Sequence, residues 1–196
     1  MSISKTRQRL VEVARELFAR KGLEATTMND IALASQRGRR TLYTYFRNKE
    51  EIYFAVIESE LERLSDEMDK VAAMQIDPEE KIRLLIYTHL HMIKDTVARN
   101  GTLRAEFFRN IWMVEKVRKT FDAEERHTIR RILEEGVNTG RFSIENLTLM
   151  TDIIHFATKG LEVPYIYDRL AIELTEEESI PMVKNIIRSV LNSKSE

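Results

Sequence analysis

The chain has 196 residues, 43% hydrophobic and 32% charged, with six glycines, three prolines and no cysteine. That balance is ordinary for a globular protein with a real core, and the lack of cysteine excludes disulfides, thiolate metal sites and a cysteine nucleophile. The near-neutral total conceals a split: residues 1–50 hold eleven Lys or Arg against five Asp or Glu, while the remainder carries a net charge of −7. A basic head on an acidic body is the electrostatic footprint of a nucleic-acid-binding module joined to a domain that does something else.

Strand-like alternation is absent and helical periodicity runs almost throughout, so the expected fold is all-α. The first helix spans about Lys5 to Lys21, with Leu10, Val13, Ala14, Leu17 and Phe18 on one stripe and Gly22 as its stop. Thr27 and Asp30 form a capping pair for a short second helix carrying Ile31, Ala32 and Leu33. Gln36-Arg37-Gly38 is the expected turn, with Gly38 supplying its backbone freedom. From Arg39 to Phe46 a third helix sets Leu42 and Phe46 on its back. Arg40 and Thr44 lie on its front, flanked by Thr41 and Tyr43. An apolar back and an Arg, Thr and Tyr front suit insertion into a DNA major groove, so the pair of helices is a helix-turn-helix candidate.

The segments TTMNDIA, TLYTYF and NKEEI, in that order and spacing, resemble the N-terminal domain of the tetracycline-repressor (TetR) family of regulators over about the first 55 residues. Members usually carry Gly where this chain has Gln36, Ser at Gly38, and Lys-Gly where it has Arg39-Arg40. Arg39 and Arg40 are the expected base readers, because a guanidinium can hold guanine bidentately. Thr27, Tyr43, Tyr45 and Lys49 are the expected phosphate contacts. The resemblance implies double-stranded DNA as partner, a homodimer and a small-molecule effector of unknown identity. It thereby implies a ligand-responsive repressor on a palindromic operator rather than an enzyme. The expected domains are a DNA-binding head at 1–50 and a ligand-binding and dimerisation body at 51–196.

In the body, a long fourth helix begins at Asn48-Lys49 and changes face from Ile52/Val56 to Ile57, Leu61, Leu64, Met68 and Val71. Asp77-Pro78-Glu79-Glu80 starts a fifth helix with Ile82, Leu85, Ile86, His89, Ile93 and Val97 inward. A short helix from Thr102, with Phe107, Phe108 and Trp112, follows; the next spans about Lys116 to Asn138. Another, about Ile144 to Leu161, is apolar round much of its circumference and is interrupted by Pro164; the last begins near Ser179, beyond which Pro181 is tolerated. His89 on an apolar face is either a satisfied core group or a ligand contact. Candidate pocket residues are His89, Phe108, Trp112 and Phe156. Candidate dimer residues are Ile153, Ala157, Val183, Ile187 and Val190.

Two alternatives remain: a regulator without an effector, and a di-metal helical bundle using Glu124-x-x-His127 and Asp152-x-x-His155. The faces disfavour the metal bundle: Glu124 and His127 fall opposite the Ile129/Ile132/Leu133 stripe, and His155 lies off the Ile153/Ala157 face. No metal and no cofactor are therefore expected. No run of about eighteen apolar residues and no signal-peptide pattern occur, so the expectation is a cytoplasmic protein without a membrane span.

Overall fold

The computed structural model describes residues 5–99, 111–170 and 175–191, apart from the side chains of 111–116 and 176. Among them there is no strand, and eight helices follow one another: α1 (Lys5–Lys21), α2 (Met28–Ala34), α3 (Arg39–Tyr45), α4 (Lys49–Ala73), α5 (Pro78–Arg99), α6 (Ile111–Asn138), α7 (Leu147–Ile166) and α8 (Glu176–Leu191). The helix expected from Thr102, with Phe107 and Phe108, lies outside the described residues. No helix among the described residues is long and apolar enough to cross a membrane.

The chain divides into two compact units: residues up to 62 together with 95–119, and residues 63–94 together with 120–196. In the first, α1 buries Leu10, Ala14, Leu17 and Phe18, and Ile31, Leu42, Phe46, Ile52 and Tyr53 complete the core. Phe18 meets Tyr53 edge-on at 6.3 Å. Helices of two turns are not stable alone, so α2 and α3 depend on this packing and on their ends. Thr27 caps α2 reciprocally with Asp30. At the other end Arg37 N–H donates to the Ala32 carbonyl at 3.1 Å and Gln36 N–H to that of Leu33 at 3.0 Å. That is a Schellman closure, whose first residue beyond the cap must be left-handed. Gln36 takes that role with φ of 55°, whereas Gly38 sits at φ −63° as the N-cap of α3. The turn therefore draws on the left-handed conformation of a glutamine, and the freedom expected of Gly38 is unused.

In the second unit, Leu64, Met68, Ile82, Leu85, Ile129, Ile132 and Leu133 are buried. Helix ends of α6, α7 and α8 depart from the sequence expectation in three places. The α6 helix begins five residues earlier than Lys116, at Ile111. Asn146 caps α7 by accepting from Leu149 N–H at 3.0 Å, and the helix continues past Leu161 with Pro164 inside it. Pro164 falls in the last turn, and the chain closes just beyond it, with Arg169 N–H on the Pro164 carbonyl at 2.8 Å. The α8 helix starts before Ser179, because Thr175 and Glu178 form a capping box: Glu178 accepts from the Thr175 N–H and hydroxyl, each at 2.7 Å. That fixed start outweighs the carbonyl that Pro181 leaves without a helical donor.

The larger departure concerns which face of α7 is inward. Its buried residues are Thr151, Ile154, His155, Thr158, Glu162 and Ile166, a mostly polar stripe, while Ile153, Phe156 and Ala157 are exposed.

Candidate nucleic-acid interface and the interior of the helical body

The exposed surface of α3 follows from its two buried anchors. With Leu42 and Phe46 held in the core, Arg39, Arg40, Tyr43, Thr44 and Tyr45 are exposed and Thr41 is half-buried. The Thr44 hydroxyl donates to the Arg40 carbonyl at 2.9 Å, so it is engaged with its own helix. Thr27 is exposed but its hydroxyl is committed to the Asp30 cap. Lys49, at the first turn of α4, holds its ammonium 3.2 Å from the Glu24 carbonyl. Arg7 lies over the Phe46 ring at 5.3 Å, adding a cation beside the α3 anchor. The structure thus brings the expected arginines, Tyr43 and Lys49 to the surface of one small basic unit.

The interior of the body is polar where an apolar contact was expected. His89 is fully buried, with Nδ1 2.5 Å from Glu125 Oε1 and Nε2 2.9 Å from Glu162 Oε1. A carboxylate on each ring nitrogen calls for a proton on each. Burial works against that charge, but the hydrogen bonds and charges of Glu125 and Glu162 outweigh it and raise His89 to about 9. Burial likewise opposes the Glu125 carboxylate, yet His155 and His89 hold it down to about 2. His155 is also buried, with Nδ1 2.5 Å from Glu125 Oε2. Asp122, one turn before Glu125, accepts from the Lys159 ammonium at 2.8 Å.

His89 is therefore a satisfied core histidine. His155, set aside from the inward face in the sequence reading, points inward, because the Ile153/Ala157 face it was measured against is itself the outer one. Glu124 and His127 are exposed, as their spacing implied. The sequence reading passed over Asp122, Glu125 and Glu162. Their signal was present: Glu125 interrupts the Phe121/Ile129 row at four-residue spacing, and His155 and Glu162 are seven apart on one face.

A groove of about 520 Å³ lies between α5, α7 and α8, with Ile82, Ile86, Leu90, Ile154, Leu161 and Val183 among its walls. At one end Lys94 pairs with Asp168 and lies 5.4 Å over the Tyr165 ring. Neither His89 nor Phe156 lines this groove; Phe156 is 57% exposed, Phe108 lies outside the described residues, and so does the Trp112 side chain. Of the dimer candidates, Ile153, Ala157 and Val190 are exposed, Val183 is half-buried, and Ile187 is buried within its own subunit. The exposed apolar positions beside them are Leu149 and Phe156 on α7 and Met182 and Ile186 on α8.

Residues 10–56 match the family model described as bacterial regulatory proteins, tetR family. An uncharacterized HTH-type transcriptional regulator of Mycobacterium tuberculosis is 33% identical over 90 residues, 46% of this chain and 45% of that protein, so the match spans under half of that relative. A probable acrEF/envCD operon repressor of Escherichia coli is 25% identical over 191 residues, covering 94% of this chain and 86% of the repressor. A TetR/AcrR-family transcriptional regulator of Thermobifida fusca superposes with a TM-score of 0.68 at 26% identity, covering 98% of this chain and all of that one.

Proposed function

We propose that the chain is a transcriptional regulator of the TetR family of bacterial regulatory proteins, one that binds a palindromic operator as a homodimer and represses from it. The observation that carries this reading is the α3 surface: an apolar back locked by Leu42 and Phe46, and a front of Arg39, Arg40 and Tyr43 on a basic unit. Arg39 and Arg40 read bases. Tyr43, Tyr45 and Lys49 hold phosphates, with the positive end of α4 assisting Lys49. Thr41 and Thr44 flank the base-reading row, and Thr27 serves the interface by fixing the start of α2.

Pairing uses the outward apolar faces of α7 and α8, which a single subunit leaves open. A small apolar effector suits the groove between α5, α7 and α8, which shares Ile153, Ala157, Ile186 and Val190 with those faces and whose volume falls in the usual range for ligand pockets. An effector that favours the off-DNA conformation shifts the dimer by no more than its differential affinity.

Arg40 stands where relatives usually carry glycine, so its side chain reaches base edges where theirs lets backbone approach. Selection of preferred sites from a random DNA pool tests this. Arg40→Gly is expected to change the selected motif, losing about 1–3 kcal/mol at one base position per half-site. If wild type and Arg40→Gly select the same motif, Arg40 does not read bases.

A further inference from the structure

Three carboxylates and two imidazoles are buried together inside the second unit. Within this group, Asp122, Glu125 and His155 each offer one ligand atom, and these atoms lie within 4.8 Å of one another. Metal–ligand bonds of about 2.1 Å set neighbouring ligands about 3.0–3.4 Å apart, so side-chain shifts of about 1–2 Å would close the three onto one ion. A second observation concerns the His155 ring. One nitrogen faces Glu125, and Nε2 is buried with no hydrogen-bond partner among the described residues. Burying an imidazole nitrogen without a partner is unfavourable, and an ion at Nε2 would supply the partner it lacks while Nδ1 keeps its hydrogen bond to Glu125.

We propose that Asp122, Glu125 and His155 form a binding site for one divalent transition-metal ion inside the helical body. Mixed imidazole and carboxylate donors select zinc, iron(II), cobalt(II), nickel or manganese over calcium or magnesium, which take oxygen ligands. His89 is a positioning residue. It bonds the Oε1 atom of Glu125 while Oε2 faces His155, the outer hydrogen bond that orients a ligating carboxylate. Asp122 and Glu125 share one face of α6, and His155 comes from α7, so the ion would tie these two helices together. Lys159 competes for Asp122. Thr158, on the same face of α7 as His155 and Glu162, lines the groove.

The test uses the full chain stripped with a chelator and titrated with cobalt(II), following its ligand-field absorption, with metal content counted after dialysis against zinc. One ion per chain and a cobalt band are expected. His155→Ala should weaken binding more than about 100-fold, and His89→Gln about 10- to 100-fold. His91→Ala with His127→Ala, which removes two exposed histidines, should change nothing. Lys159→Gln should tighten binding by freeing Asp122, an effect that a purely structural hydrogen-bond network does not predict. Absence of uptake by the stripped wild type overturns the proposal, as does uptake abolished by the exposed-histidine pair and untouched by His155→Ala. If His155→Ala does not fold, Lys159→Gln decides: tighter binding supports the site, and unchanged affinity refutes it.

Discussion

Two adjacent residues of α8 test the proposed pairing separately from folding. Ile186 is 62% exposed and Ile187 only 6%, so one faces outward and the other fills the core of its own subunit. Burying an isoleucine side chain fully is worth about 1.5–3 kcal/mol, so covering what Ile186 leaves open is worth about 1–2 kcal/mol. A twofold interface counts each position twice, which makes the loss in Ile186→Glu about 2–4 kcal/mol before any desolvation of the new carboxylate. At 1.4 kcal/mol per tenfold, the dimer dissociation constant should rise by about 30- to 1,000-fold. Ile187→Glu instead forces an unpaired charge into packed surroundings and should lower stability by several kcal/mol in the monomer itself. Sedimentation velocity across micromolar concentrations, with circular dichroism on the same samples, distinguishes the outcomes. A folded Ile186→Glu monomer beside an unfolded or aggregated Ile187→Glu protein is expected. An Ile186→Glu dimer as tight as wild type would refute the assignment of this face to pairing.

Gln36→Gly removes a left-handed penalty of about 1–2 kcal/mol and restores about 0.5–1 kcal/mol of unfolded-chain entropy, so denaturant unfolding should show a gain of about 0.5–1 kcal/mol. Gly136→Ala acts the other way: a Cβ there would stand 2.7 Å from Phe142 Cγ and closer still to Cδ2 and Cε2, in a ring that is buried. Overpacking outweighs the helix preference of alanine, and a loss of about 1–2 kcal/mol is expected, partly recovered by adding Phe142→Leu. Lys49→Ala should weaken binding to every DNA sequence alike and flatten the salt dependence by about one unit, while an unchanged slope would remove Lys49 from the phosphate contacts.

What the sequence determined by itself is local. The Thr27/Asp30 cap, the Leu42/Phe46 back of α3 and the α1 stripe depend on residues three or four apart, and each took the form its spacing implied. The resemblance to the family rests on the same short segments, which is why the head was legible. The Thr175/Glu178 box was equally local, but the weight given to Pro181 hid it. Tertiary structure decided the rest because the deciding interactions join distant residues. Periodicity established that α7 has apolar residues on several sides; which side faces inward depended on His89 and Glu125, 66 and 30 residues before His155 in the chain. A histidine and two glutamates can be buried only when each supplies the other's missing hydrogen bond, and no single helix carries that information. Once that network occupies part of the interior, only some of the hydrophobic residues of α7 are buried: Ile154 and Ile166 are, while Ile153 and Phe156 are exposed.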